Sequence, residues 1–355
     1  MTVFYFVFFL LLFSCIFISG NRSLCFSLTL LMCFILAFRG IDVGSDTYFY
    51  YTNTFDSSLD FSIDNKFEIT FQYISYMISF LGLNPRWCLY SLAVITFFFL
   101  YLSILRYNKL LHTKYIWILF FYFLFEYYSL SFNISRQIAA ASVLLYSYSF
   151  LFENGLKKYW FIILVLFASS IHISSIIFLP LYFVVKIDFS KINTRVISVF
   201  LTLLLSVVLL LRGYLLNVIM SKFSALELYG AYVDDAEVVN KSFIGFIIEY
   251  IELFLSLFIY GKLKNLKVNG TLSNLYLISL VVSIILLAFY GNIYRIRLGL
   301  TIINIIAYST VFTYYRRLTL KEKILLCFIV MFYGYFTLAT LTNGAYEVVP
   351  YYIVF

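Results

Sequence analysis

Apolar runs of the length needed to cross a bilayer as helix, roughly 20 residues, recur along this sequence, and short loops rich in Lys and Arg separate them. Of 355 residues, 63% are hydrophobic and 12% charged, a balance that water-soluble domains do not carry. The sequence therefore reads as an all-α, polytopic integral membrane protein of about 12 transmembrane helices. Those helices make a single transmembrane domain over residues 1–355, with no long polar segment for a separate globular domain. The net charge of +8 lies mostly in short loops. It is topogenic and does not call for nucleic acid. The 22% aromatic content supplies interfacial belts, with tyrosines also suited to stacking on sugar rings. The five cysteines all lie in apolar stretches, none in a C-x-x-C pair, and there are two histidines. No metal site or cofactor is expected. The first apolar stretch lacks a basic leader and a small-residue cleavage site, so it reads as an uncleaved first helix.

Charge sets the topology. Five basic segments, 106–114, 157–158, 186–195, 262–267 and 316–323, belong on the cytoplasmic side. Between them, 115–132 and 138–152 form a hairpin with 133–137 at its outer tip. Runs 196–211 and 243–260 are joined by an outer, periplasmic loop, 212–242. Runs 272–290 and 298–313 leave 292–297 outside, and 324–341 leaves the tail 342–355 outside. The first two helices cover 3–19 and 24–38, and the acid-rich loop 39–66 is outside. Two segments cannot be simple spans. Residues 159–185 are too long for one straight helix and too short for two, which predicts two short helices broken near 168–175, with His172 at the outer end of a cavity. Residues 68–83 must not cross if the count is to close, so a re-entrant or interfacial helix is expected from Glu68 to Leu83.

On this layout several arginines stand outside, where cations are unusual: Arg39, Arg136 and the pair Arg295/Arg297. A bound anion is one reason for such placement, and a headgroup anchor or helix cap is the plain alternative. Arg39 opens a turn with Gly40, Gly44 and Asp46, where Asp46 can hold the arginine or accept a proton. Arg136 opens a helix with small residues at 139–142, and a helix N-terminus itself favours anions. His172, flanked by serines, is either a structural hydrogen-bonding residue or a base. Glu126, Glu249 and Glu252 are carboxylates within apolar helices, weaker candidates that can serve as arginine partners. No phosphate-binding glycine loop, nucleophile elbow or zinc-protease motif is present.

The order of these motifs resembles a known family. An Arg-Gly-x-Asp-x-Gly-x-Asp-Thr signature runs from Arg39 to Tyr50, with Tyr48 and Tyr50 as its candidate tyrosines. Glu68 opens an amphipathic stretch, and Asn-x-x-Arg-Gln-x-x-Ala spans 133–140. Lys157-Lys158-Tyr159 precedes His172-x-Ser174, and the tail carries Tyr346, Pro350 and Tyr351. Together they resemble the EpsG-type branch of the Wzy class of bacterial polysaccharide polymerases. The resemblance implies a multi-pass enzyme of the bacterial inner (cytoplasmic) membrane. It would join oligosaccharide repeats carried on undecaprenyl diphosphate at the periplasmic face, for O-antigen and lipopolysaccharide, capsule or exopolysaccharide. It implies glycosyl transfer with His172 and Asp46 as catalytic candidates. Arg39, Arg136, Arg295 and Arg297 would bind diphosphate, and Glu68, Gln137 and Tyr346 would support the site. The expected partners are the lipid-linked oligosaccharide, membrane lipid and a chain-length regulator protein. The rival readings are a lipid-linked oligosaccharide flippase, an O-antigen ligase and a sugar O-acyltransferase. The flippase would place its polar residues at the midplane of a repeated architecture, and neither feature is evident.

Overall fold

The computed structural model describes residues 2–44, 46–53, 68–187, 189, 192–222, 243–266, 268–287, 296–344, 348 and 351. Among them, four helices are long and apolar enough to cross a membrane: Arg86–Leu111, 194–211, Ile244–Asn265 and Leu320–Thr342, with shorter apolar helices beside them. The chain is an all-helical, multi-pass membrane protein, in two compact units.

The first unit contains 1–182 and 308–355. Its helices are α1 (Thr2–Ile18), α2 (Arg22–Ala37), α3 (Thr47–Asn53), α4 (Ile69–Phe80), α5 (Arg86–Leu111), α6 (Tyr115–Leu124), α7 (Tyr127–Leu130), α8 (Ser135–Tyr148), α9 (Tyr159–Ile171), and, near the C-terminus, Leu320–Thr342. Local signals set several boundaries. The Asn21 side chain accepts from Leu24 N–H at 2.9 Å to start α2, and a capping box of Thr319 and Glu322 starts the last helix. Helix α8 lies at the centre, packed on α5 and α9. Its Ala139, Ala140, Ala141 and Ser142 are all buried. Small side chains let the neighbouring backbones approach closely, which is how helices gain contact where lipid offers no hydrophobic contrast.

Several helices are too short to span, three of them at points that shape the site and the core. Helices α4, α6 and α9 have 12, 10 and 13 residues, about 15–20 Å at 1.5 Å per residue against a hydrocarbon core of about 30 Å. Helix α6 stops where Glu126 takes a left-handed conformation (φ 63°). The Leu124 carbonyl freed there accepts from Thr337 Oγ1 at 2.7 Å, so the break leaves this backbone acceptor satisfied. The expected single run over 115–132 is therefore two helices. Helix α9 ends at His172, whose extended backbone (φ −151°, ψ 114°) turns the chain into a 3-10 run, Ile173–Phe178. The chain returns far enough for the Tyr182 ring to lie 6.4 Å from that of Tyr159. This is the broken hairpin that the length of 159–185 demanded, with His172 at its tip.

Hydrogen bonds and ion pairs identify the two ends of this unit. At one end Arg106 pairs with Glu153 at 3.0 Å, Ile116 N–H donates to Ser19 O, and Lys114 N–H donates to Thr313 Oγ1. Three of the basic segments, near 106–114, 157–158 and 316–317, thus gather together. At the other end stand Arg39, Glu68, Arg136, His172 and Tyr351. Helix α4 starts there and leads through the turn before Arg86 into α5, whose far end carries Arg106. Both ends of α4 therefore lie toward the end of the unit away from Arg106.

The second unit, 183–307, holds α11 (Thr194–Lys222), α12 (Phe243–Asn265), α13 (Gly270–Leu286), Leu298–Thr301 and the start of Ile303–Thr313, with the short α10 (Leu181–Val184) at its beginning. Asn274 Nδ2 donates to Ile187 O at 2.7 Å and Ser279 Oγ to Asn304 Oδ1 at 2.7 Å, tying its helices internally. Helix α11 runs to Lys222, so the segment expected as an outer loop, 212–242, opens as helix. Residues 223–242 lie outside the described residues. Of the five cysteines in apolar stretches, Cys15, Cys25 and Cys88 are buried, Cys33 is half-buried and Cys327 is exposed.

The two ends of the first unit give a direct test of topology. In a cysteine-free background, Asn343→Cys should react with a membrane-impermeant maleimide on intact cells. Lys157→Cys should react only after permeabilisation. Labelling of Lys157→Cys from outside would invert the assignment.

Candidate functional site

Arg39 follows the C-terminus of α2 and is 2% exposed. A guanidinium that far from water must place its N–H groups on oxygen. Its Nε donates to Thr47 Oγ1 at 2.9 Å, Nη1 to Leu36 O at 3.1 Å and Nη2 to Ser135 Oγ at 3.1 Å, with the Phe132 ring 5.5 Å away. These partners are neutral. Burial lowers its pKa to about 10, so it stays cationic at neutral pH. The loop that carries it needs Gly44, which has φ +91° and lies so close to Phe132 that a Cβ would meet that residue's carbonyl. Arg39 thereby braces the loop after α2 onto the first turn of α8.

Arg136 stands one residue beyond Ser135. A cation in the first turn of a helix faces the positive end of the helix dipole, and a carboxylate offsets that. Arg136 Nη1 donates to Glu68 Oε2. The guanidinium also lies 5.5 Å from the Tyr50 ring and 5.3 Å from the Phe71 ring, and its Nε reaches Tyr50 OH at 3.5 Å. Asp46, before α3, is within electrostatic reach of both Arg136 and Tyr50.

The other oxygen of Glu68 serves the break in α9. His172 Nδ1 lies 2.8 Å from Glu68 Oε1, which also accepts from Ile173 N–H at 3.3 Å. Two residues on, Thr70 Oγ1 and Ser170 Oγ are 2.7 Å apart, a second tie between α4 and α9. Glu68 sits at the N-cap of α4, outside the spans. Burial opposes its ionisation, but the His172 hydrogen bond and the Arg136 charge outweigh it and hold the carboxyl below its ordinary value. The three side chains keep 14–26% of their surface.

The structure thus unites Arg136, His172 and Glu68, with Asp46 close by, and seats Arg39 beneath them. Gln137 is buried on α8. Arg297 belongs to the second unit, where its carbonyl accepts from Leu300 and Thr301 N–H. Glu249 and Glu252 are on α12 of that unit, and Glu126 marks the break in α6. Arg295, Tyr346 and the acidic residues Asp56, Asp60 and Asp64 lie outside the described residues. The last tyrosine of the tail motif, Tyr351, donates to Ile35 O at 2.7 Å, one residue from Leu36 on the Arg39 brace. Sequence reading assigned no task to Ser135 or Thr47. The signal available was position alone, Ser135 next to Arg136 and Thr47 after the glycine turn. Among the described residues no group of three or more His, Cys, Asp or Glu is placed to hold a metal ion.

Comparison with protein families matches residues 22–353 to the EpsG family. The chain belongs to that family. EpsG-family proteins are linked to exopolysaccharide biosynthesis, and the matched span contains every site residue above. Neither the curated proteins nor the solved structures compared with the chain gave a match.

Two stability measurements check this geometry. Gly44→Ala should cost roughly 1–3 kcal/mol from backbone strain alone, seen as a lower thermal midpoint in detergent with less folded protein recovered. Glu68→Gln should cost about 2 kcal/mol at neutral pH through loss of a charged hydrogen bond. Because the folded carboxyl titrates below the ordinary glutamate value, its stabilising contribution is full above that ordinary value and is lost as pH falls through the depressed one. The gap between wild type and Glu68→Gln should therefore close in acid. A gap unchanged from pH 7 to pH 3 would show that Glu68 is not ionised in the folded protein.

Proposed function

We propose that this EpsG-family protein polymerises oligosaccharide repeats carried on undecaprenyl diphosphate, at the periplasmic face of the bacterial inner membrane. The observation that carries this reading is the pairing of a positioned guanidinium, Arg136, with an imidazole, His172, at the end of the first unit opposite its basic loops. The reaction breaks the bond between the anomeric carbon of the growing chain and the diphosphate oxygen. The electron pair leaves with the diphosphate. A hydroxyl oxygen of the incoming lipid-linked repeat bonds to that carbon, and its proton passes to His172. Negative charge on the departing diphosphate grows along this path, so a fixed guanidinium favours the transition state over the ground state. Arg136 fills that role. Arg39, already bonded to Thr47, Leu36 and Ser135, supports the same field from beneath and holds the helix start that carries Arg136. Asp46 is the second candidate for the proton, and membrane lipid and a chain-length regulator are the accompanying partners.

A polymerase, a flippase and a ligase leave different products when deleted. Loss of a polymerase should leave single repeats attached to surface acceptors. Loss of a flippase leaves the surface bare, and loss of a ligase leaves finished chains on the lipid carrier. Within the polymerase reading, Arg136→Lys keeps the charge but not the forked donor set. It should reduce polymer formation about 10- to 100-fold at normal protein level, the equivalent of one charged hydrogen bond. His172→Gln should give the single-repeat phenotype. Normal polymer ladders from both variants would remove these two residues from the chemistry.

A further inference from the structure

A histidine that accepts a proton at one nitrogen must carry its existing proton on the other, and something must decide which. The Glu68–His172 contact decides it here. An ionised carboxylate only accepts hydrogen bonds, so Nδ1, at 2.8 Å from Glu68 Oε1, carries the hydrogen. Among the described residues no group hydrogen-bonds Nε2, which keeps the lone pair. The carboxylate is itself fixed at several points. Ile173 N–H donates to the same oxygen, Arg136 holds the other oxygen, and the Thr70–Ser170 bond locks the start of α4 to α9. The chain break at His172 leaves the ring at the tip of a short hairpin, where it has no regular helix to set its rotation.

We infer that Glu68 is a positioning residue: it holds His172 as the Nδ1–H tautomer, with Nε2 as the proton acceptor, and sets the ring at a fixed place relative to Arg136. When Nε2 takes the acceptor hydroxyl's proton, the imidazolium that forms is stabilised by the same carboxylate, which stays ionised. The catalytic consequence rests on the polymerase reading; the tautomer does not.

The sequence makes the tautomer measurable, because only two histidines are present. His112, in a left-handed conformation at φ 55°, can be replaced by Asn, which tolerates that backbone. In His112→Asn protein labelled with 15N-histidine, one imidazole remains. At pH 8.5 its spectrum should show a protonated Nδ1 and an unprotonated Nε2. Glu68→Gln, which retains a carbonyl acceptor, should keep that pattern and part of the turnover. Glu68→Ala should show a mixture of tautomers, and its kcat should fall by more than its KM changes. An Nε2–H tautomer in the His112→Asn protein overturns the inference, without recourse to any variant at Glu68. So does a Glu68→Ala protein with unaltered spectrum, or with an altered spectrum and normal turnover. If the Glu68-dependent tautomer is found but His172→Gln polymerises normally, the histidine's catalytic role in the polymerase reading fails while the Glu68–His172 arrangement stands.

Discussion

One carboxylate organises the far end of the first unit. Glu68 joins Arg136 on α8 to His172 at the break in α9, and those residues are separated by 68 and 104 positions in sequence. Neither partner is well placed without it. Arg136 occupies the positive end of a helix dipole in a partly buried setting, and His172 sits on extended backbone where regular helical bonding has stopped. In a low-dielectric surrounding the attraction between such groups is strong, and so is the cost of leaving one unpaired. The arrangement therefore stands or falls as a group.

Arg39 shows a different solution to the same problem. Its charge is buried against neutral oxygens, with three N–H groups on Thr47, Leu36 and Ser135. Sequence reasoning placed it beside Arg136 as an equal diphosphate ligand. In the structure three of its five N–H groups fix the loop and the start of α8. A guanidinium serves there because its planar fork reaches three acceptors at once; the single ammonium of a lysine would leave some of them without a donor. Its charge adds to the positive potential around Arg136.

Much of the helix layout was legible because apolar runs and basic loops are direct records of the bilayer. The length of 159–185 foretold a break, which falls at His172. Other features left no such record. The run 115–132 has the length of one span, so its length gave no sign of the interruption at Glu126, where Thr337, distant in sequence, caps Leu124 O. Helix α11 passes its expected end because apolar residues continue beyond Arg212. In the site, the residue types were readable but their pairing was not. Glu68 looked like an adjunct because nothing local says which of two distant partners a carboxylate will meet, and here it meets both.

The short helices and the electrostatics of the site have one physical cause. Helix α9 carries the chain only about 20 Å from the basic end before His172 turns it back, less than the thickness of the hydrocarbon core. If the basic loops lie at the cytoplasmic interface, the tip of that hairpin remains below the opposite surface. Polar backbone at such a depth is tolerated where protein encloses it. Glu68 Oε1 supplies that enclosure for Ile173 N–H while also holding the ring. The bond that pins the break thus also holds the imidazole, and the carboxylate that makes it is the one that offsets the charge of Arg136.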